Sequence, residues 1–276
     1  MIQLIVNADD LGSGPERDRG IFRCFEQGIV TSVSLLANGP HFAEAACEAV
    51  RLGMPLGVHL NLSEGRALTG VIAGLTDAAG EFPGKADLRR ILAGGDFDAA
   101  GARRELAAQL DRVRQAGIVP DHLDSHQHFI LFPAATGLVT DLARAEGINA
   151  LRRPLPAEDP RRDPPPPLGD ELVLYRRLAP AASAQIDASA LFAPQGLWGM
   201  TLLDRLDKQA LSALLEEMPD GVWELMVHPG YCDLGRPFSG PERLRETLAL
   251  TNPCMSQLIR EKNIFLTTFG ACACAF

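Results

Sequence analysis

The sequence predicts an α/β fold, a single (β/α) barrel of about seven parallel strands, on three observations. Short apolar, β-branched runs alternate with amphipathic stretches along most of the 276 residues. Glycine follows the helix-like segments, at Gly28, Gly53, Gly117 and Gly147. Polar residues capable of catalysis recur at the C-terminal ends of the strand-like runs, the edge where parallel α/β sheets and barrels build their active sites.

Taken in order, "IQLIVNA" reads as the first strand and about Asp18 to Gln27 as the first helix. "TSVSLLAN" and a helix from about His41 to Arg51 follow, then the strand "PLGVHL". A glycine-rich loop runs from Asn61 to about Gly84, and a charged helix from about Ala99 to Ala116 leads into the extended run "PDHLDSHQH". A helix from about Ala134 to Glu146 precedes the strand "INALR". Prolines exclude regular structure from residues 156–172, "PAEDPRRDPPPPLGDEL", which read as an insertion or lid within one domain because the β/α rhythm resumes afterwards. The rest reads as a helix near Leu203 to Glu217, the strand "VWELMVH", helices near Glu242 to Leu250 and Met255 to Lys262, and the strand "IFLTTF". No fixed-period repeat is present, which disfavours a solenoid. The closing "CACAF" reads as a loosely ordered terminus.

Composition narrows the partners. With 46% hydrophobic and 22% charged residues the chain is an ordinary globular one. A formal net charge of -9 argues against broad contact with nucleic acid or anionic lipid, both of which need a basic surface. "MIQLIVNADD" lacks a basic leader and its apolar run stops at Asp9, so a cytoplasmic location is expected; self-association is left open. Six cysteines lie scattered without C-x-x-C spacing and read as reduced thiols.

The strand ends carry a constellation. Asp9 and Asp10 follow "LIVNA", His59 follows "LGV", His126 and His128 follow "DHLDS", Arg152 follows "NAL" and His228 follows "ELMV". If "HLDSHQH" is extended, its pleat places His122, Asp124, His126 and His128 on one face. Two histidines and a carboxylate are enough to hold a divalent cation such as Zn²⁺, Mn²⁺, Co²⁺ or Fe²⁺ with positions left open for water and substrate. Such a cation lowers the pKa of water and polarises a carbonyl, and a second carboxylate can take the water proton. Adjacent aspartates on a strand point to opposite faces, so a turn is expected at Gly12 to Pro15 to bring both to one pocket. His41, at a predicted helix start, reads as a surface or capping residue, and His122 as either structural or a support to the site.

The ordered blocks "NADDLG", "GIVTSVSLLANGP", "GVHLNLSEG", "HLDSHQH", "LRRP" and "ELMVHPGYCD" make the chain resemble the YdjC-like carbohydrate deacetylases, a family that includes chitooligosaccharide deacetylases. The resemblance spans nearly the whole chain and weakens across the proline-rich segment. It implies a deformed (β/α) barrel that removes N-acetyl groups from amino sugars with one divalent metal ion, Zn²⁺ or Mg²⁺, with Mn²⁺ and Co²⁺ also open. Residue by residue, it implies Asp10, His59 and His126 as metal ligands, Asp9 as general base and His228 as general acid. Arg152 would orient Asp9, and Asp124 and His128 would tune the histidine ligands. Asn61, Phe129, Trp198 and Tyr231 are the expected contacts to the sugar, the three aromatics through their ring faces. Two positions depart from the family pattern, Leu11 where phenylalanine is usual and Asp18 where asparagine is common.

Two other classes stay open. A metal-dependent barrel acting on a phosphoester or isomerising a sugar would use the same ligand types, but no glycine-rich phosphate loop with an adjacent lysine is present. A non-catalytic carbohydrate-binding barrel would need neither Asp9 nor His228.

Overall fold

The computed structural model describes residues 1–276. Its first strand, β1 (Ile2–Leu11), is central and buried from Leu4 onward, and it pairs in parallel with three others. On one side lie β2 (Ser32–Leu35), β3 (Leu56–Leu60) and β4 (Leu123–Ser125), on the other β6 (Gly221–Val227) and β5 (Leu197–Trp198). The last strand, β7 (Ile264–Thr267), pairs with the N-terminal half of β1. The seven parallel strands curl into a half-barrel with helices around it, a single-domain α/β fold. Between β4 and β5 the wall continues only through isolated parallel bridges, Leu123 to Leu151, Ala150 to Phe192 and Pro156 to Leu197. "INALR" is therefore not a full strand, and Leu197–Trp198, unassigned from the sequence, takes a place in the sheet.

The helices begin where the chemistry of their first turns allows. Pro15 opens α1 (Pro15–Gln27) and Pro133 opens α5 (Pro133–Ala145), because the first helical residue needs no N–H donor. Gly53 closes α2 (Phe42–Leu52) with a left-handed φ of 63°. After the glycine-rich loop comes a helix not expected from the sequence, α3 (Lys85–Gly94), and Asp98 then caps α4 (Ala99–Gln115) by accepting from Gly101 N.

The proline-rich segment is shorter than expected. Residues 156–167 hold one turn at Pro160–Arg162, but α6 (Leu168–Ala188) then begins, so the last five residues of the predicted irregular stretch are helical. The helix near Leu203 starts later, as α7 (Lys208–Glu217), where Asp207 caps Gln209 N and Ala210 N. After β6 come α8 (Pro241–Leu250) and α9 (Pro253–Glu261). The "CACAF" tail is not loose: it belongs to α10 (Phe269–Ala275), with Phe269 and Cys272 buried. All six cysteines are free thiols. No helix is long and apolar enough to cross a membrane.

Candidate functional site

The strand ends do converge. A cavity of about 590 Å³ opens over the C-terminal ends of β1, β3, β4 and β6, and Asp9, Asp10, His59, His126, His128 and His228 all line it. That volume lies within the range of ordinary small-molecule sites, roughly 300–1,000 Å³.

The two aspartates reach it by a different device from the one expected. The turn after Gly12 exists, but β1 runs on through Leu11, and its register against β2 slips between Ala8 and Leu11. Asp10 sits at that bulge with a φ of 69°, a left-handed conformation uncommon outside glycine. An extra residue in a strand breaks the alternation of faces. The bulge, rather than the turn at Gly12 to Pro15, therefore brings neighbouring carboxylates into one pocket. Asp18, on the first turn of α1, accepts from Gly12 N at 2.7 Å and pairs with His41 Nδ1 at 2.6 Å, which ties the turn to α2. His41 thus anchors a loop and makes no side-chain cap.

Asp10, His59 and His126 form a compact cluster. Asp10 Oδ1 lies 3.1 Å from His126 Nδ1 and 3.4 Å from His59 Nε2, and the two nitrogens are 3.3 Å apart. Asp10 Oδ1 is buried yet has no hydrogen-bond partner. A cation about 2.1 Å from three such donors would separate them by roughly 3.0–3.4 Å in octahedral or tetrahedral geometry, so the donor set fits a divalent metal. Asp124 Oδ2 meets His59 Nδ1 at 2.8 Å, leaving Nε2 to face the cluster. Burial pushes the His59 imidazolium down, but Asp124 and Asp10 outweigh it and hold it up to about 10.

The extended reading of "HLDSHQH" holds only in part. Asp124 lies on β4, but His122 precedes that strand, which ends at Ser125 and is followed by a tight 3₁₀ turn. Gln127 and His128 there take left-handed φ values of 55° and 57°. Gln127 Nε2 donates to Glu64 Oε1 at 2.5 Å, which fastens the turn to the glycine-rich loop. His126 reaches the cluster from this turn. His128 does not touch either histidine of the cluster: it packs edge-on to Tyr175 at 5.4 Å, its Nδ1 has no partner, and burial holds it well below the ordinary histidine value.

Asp9 is bound on both oxygens. Arg152 Nη1 donates to Oδ2 and Nη2 to Oδ1, each at 2.6 Å. The same guanidinium donates to Glu224 Oε1 at 2.8 and 2.6 Å and lies 2.7 Å from Asp124 Oδ2. Burial raises the Asp9 carboxyl, but the Arg152 charge and hydrogen bonds outweigh it and keep Asp9 below the usual range. Glu224, fully buried among these anions, is pushed up to about 7 by burial against the pull of Arg152. Glu224 was not among the site residues expected from the sequence, although a lone carboxylate inside the apolar run "VWELMV" is a signal that it needs a buried cation.

His228 Nε2 lies 3.9 Å from Asp9 Oδ2. Its backbone is clamped: its N–H donates to Glu246 Oε1 at 2.7 Å, and its carbonyl accepts from Arg17 at 2.8 Å and Arg243 at 3.1 Å. Burial, helped by those two arginines, pushes the imidazole down to about 3, so it is neutral.

The expected sugar contacts are not where the sequence reading put them. Phe129 is buried in the core, and Trp198 packs edge-on to Trp223 at 6.0 Å, because β5 carries it into the sheet. Tyr231 lies under the Arg19 guanidinium at 3.7 Å and accepts from Arg23. Asn61 does line the cavity, but its amide oxygen accepts from Ser63 and Glu64 and its nitrogen donates to Asn38 Oδ1 and Glu64 O, so every bonding position serves the loop. The aromatic rings that do line the cavity are Tyr175 and Phe238.

Comparison with known proteins adds to this geometry. The family model of YdjC-like proteins matches residues 3–261. A Mus musculus protein named carbohydrate deacetylase is 34% identical, over 96% of this chain and 93% of its own. A carbohydrate deacetylase of Geobacillus stearothermophilus is 31% identical over 96% of both chains. A chitooligosaccharide deacetylase of Serratia marcescens is 31% identical, over 96% of this chain and 97% of its own. The solved structure of an Enterococcus faecalis protein has the same fold, with a TM-score of 0.76 at 24% identity over 98% of both chains. With its motif residues gathered at one barrel mouth and the family model matched over nearly its full length, this chain belongs to the YdjC-like family.

Proposed function

We propose that the protein hydrolyses the N-acetyl group of an amino sugar or chitooligosaccharide, with a divalent metal held by Asp10, His59 and His126. The observation that carries this reading is the division between the two adjacent aspartates. Asp10 Oδ1 is orphaned within a triangle of cation donors, whereas Asp9 is neutralised by Arg152 and faces His228. The relatives named carbohydrate and chitooligosaccharide deacetylases supply the substrate class.

Asp10, His59 and His126 would hold the metal, whose chemistry there would be to activate a water and polarise the acetyl carbonyl. Asp9, ionised because Arg152 outweighs its burial, accepts the water proton on Oδ2. His228 is neutral at rest, so it becomes an acid only by taking up a proton. Asp9 Oδ2, 3.9 Å from Nε2, is the source of that proton. His228 then delivers it to the departing nitrogen, which leaves as an amine and not as an anion. The products are acetate and the free amino sugar. The Glu246, Arg17 and Arg243 bonds keep the imidazole aimed while it exchanges the proton. Tyr175 and Phe238 offer apolar ring surface to the sugar.

The test is acetate release from N-acetylated chitooligosaccharides by protein stripped with chelator and then supplied with Zn²⁺, Mg²⁺, Mn²⁺ or Co²⁺. Activity should vanish on stripping and return with at least one ion. Activity that persists without metal, or no acetate release with any ion, contradicts the reading.

A further inference from the structure

His122 takes no part in the cation cluster, yet it is completely buried and hydrogen-bonded at both ring nitrogens. Its Nδ1 lies 2.7 Å from Asp121 Oδ1, and its Nε2 lies 3.2 Å from Ser34 Oγ. Ser34 Oγ accepts from Asn7 Nδ2 at 2.8 Å, and the same Asn7 nitrogen donates to Asp9 Oδ1 at 2.8 Å. A continuous hydrogen-bonded chain therefore links Asp121, on the segment entering β4, to the aspartate that faces His228. Asn7, Ser34 and His122 are each fully buried along it.

The chemistry of the two ends fixes the protons in between. A carboxylate only accepts, so the amide nitrogen of Asn7 must face Asp9. The second N–H of that nitrogen points at Ser34, whose hydroxyl then gives its own proton to His122 Nε2. From the other end, Asp121 also only accepts, so His122 Nδ1 carries the imidazole proton. Both ends give the same tautomer, with Nδ1 protonated and Nε2 bare.

We propose that His122 and Ser34 are positioning residues for Asp9, acting through the Asn7 amide; the inference rests on the reading of Asp9 as the base. Asn7 Oδ1 is buried without a partner, so the orientation of this amide is set entirely at its nitrogen. Ser34 can accept there because His122 takes the hydroxyl proton. The result at Asp9 is an asymmetric carboxylate. Oδ1 receives Asn7 and Arg152, whereas Oδ2 receives Arg152 alone and faces His228. Oδ2 is thereby left as the atom that takes a proton.

The far end of the chain is braced by the C-terminal helix. Phe269 stacks on the His122 ring with centroids 3.9 Å apart, and Gly270 N donates to Asp121 Oδ2 at 3.0 Å. On the β3 side, a Cβ at Gly57 would fall 2.3 Å from His122 Cε1, so only glycine lets the ring lie there.

Ser34→Ala removes a single oxygen from the chain and is the first test. Its kcat should fall about ten- to a hundredfold, the scale of a misplaced catalytic group, while bound metal stays near wild type and Tm drops only by what the two lost buried hydrogen bonds cost. KM should stay within about twofold, since the loss lies in the transition state. His122→Phe keeps the stacked ring and should give a similar fall, and the double variant should fall no further than the larger single, because both break one chain. In an Asp9→Asn background neither change should lower the residual rate. The ¹⁵N shifts of His122 in the unmodified protein should report the Nδ1–H tautomer, which keeps the inference testable if His122→Phe does not fold. Wild-type kcat in Ser34→Ala, additive losses in the double variant, or an Nε2–H tautomer each overturn the inference while leaving Asp9 as base. Wild-type activity in Asp9→Asn overturns the reading of Asp9, and the inference with it.

Discussion

Arg152 grips Asp9 with two parallel hydrogen bonds of 2.6 Å, in a pair whose side chains are 0% and 2% exposed. The same guanidinium answers Glu224 and Asp124, so one cation serves three buried carboxylates. Removing one partner of a buried pair leaves the others charged and unsolvated. Arg152→Met should therefore lower stability by about 3–5 kcal/mol, read as a lower urea midpoint at unchanged m-value. Arg152→Lys keeps the charge but cannot fork across both Asp9 oxygens, so it should fold better than Arg152→Met and still turn over poorly. Equal stability of Arg152→Met and wild type would show that the cluster does not depend on this cation.

Burial, with the carboxylates of Asp9 and Asp124 alongside, outweighs the pull of Arg152 and lets Glu224 hold its proton up to about 7. In the unfolded chain it titrates near 4.5, its ordinary value. Between those two values the native state binds the extra proton, so this group's contribution to stability is full below about pH 4.5 and declines as pH rises towards about 7. In metal-free protein, the slope of unfolding free energy against pH over that window should be less negative for Glu224→Gln than for wild type. Superimposable slopes would mean that Glu224 is ionised throughout.

Gly20 on α1 packs against the loop that follows His228. A Cβ built there would fall 2.4 Å from Gly230 Cα and 2.5 Å from its nitrogen, both backbone atoms that cannot swing aside. Gly20→Ala should destabilise by about 1–3 kcal/mol through this overpacking. It should also lower kcat, because the displaced backbone carries His228. A variant with wild-type Tm and kcat would show that the loop yields freely.

The parallel α/β architecture, and the strand ends that hold Asp10, His59 and His228, were legible because both rest on local hydrophobic periodicity and on strand-end position, whereas Arg152 follows a run that forms only isolated bridges. The bulge at Asp10 was not, since a register slip depends on the partner strand β2 and leaves no mark in the run "NADDLG". The helix α6 was hidden by the prolines before it and by Pro180 within it. The aromatic candidates failed for a related reason: residue type nominates Trp198 and Phe129 for a sugar platform, but burial in the sheet and core is decided by tertiary packing. His122 was ambiguous in sequence because its link to Asp9 runs through Ser34 and Asn7, which come from two other strands.

The central claim is that adjacent aspartates divide the work, Asp10 for the metal and Asp9 for the proton. It is tested most directly by measuring bound metal and acetate release side by side in Asp9→Asn and Asp10→Ala, with N-acetylated chitooligosaccharide as substrate. Asp9→Asn should retain its metal and lose about 10²–10⁴-fold in turnover, the usual contribution of a general base. Asp10→Ala should lose the metal itself. An Asp9→Asn variant that releases acetate at the wild-type rate, or an Asp10→Ala variant that binds metal as wild type does, would contradict it.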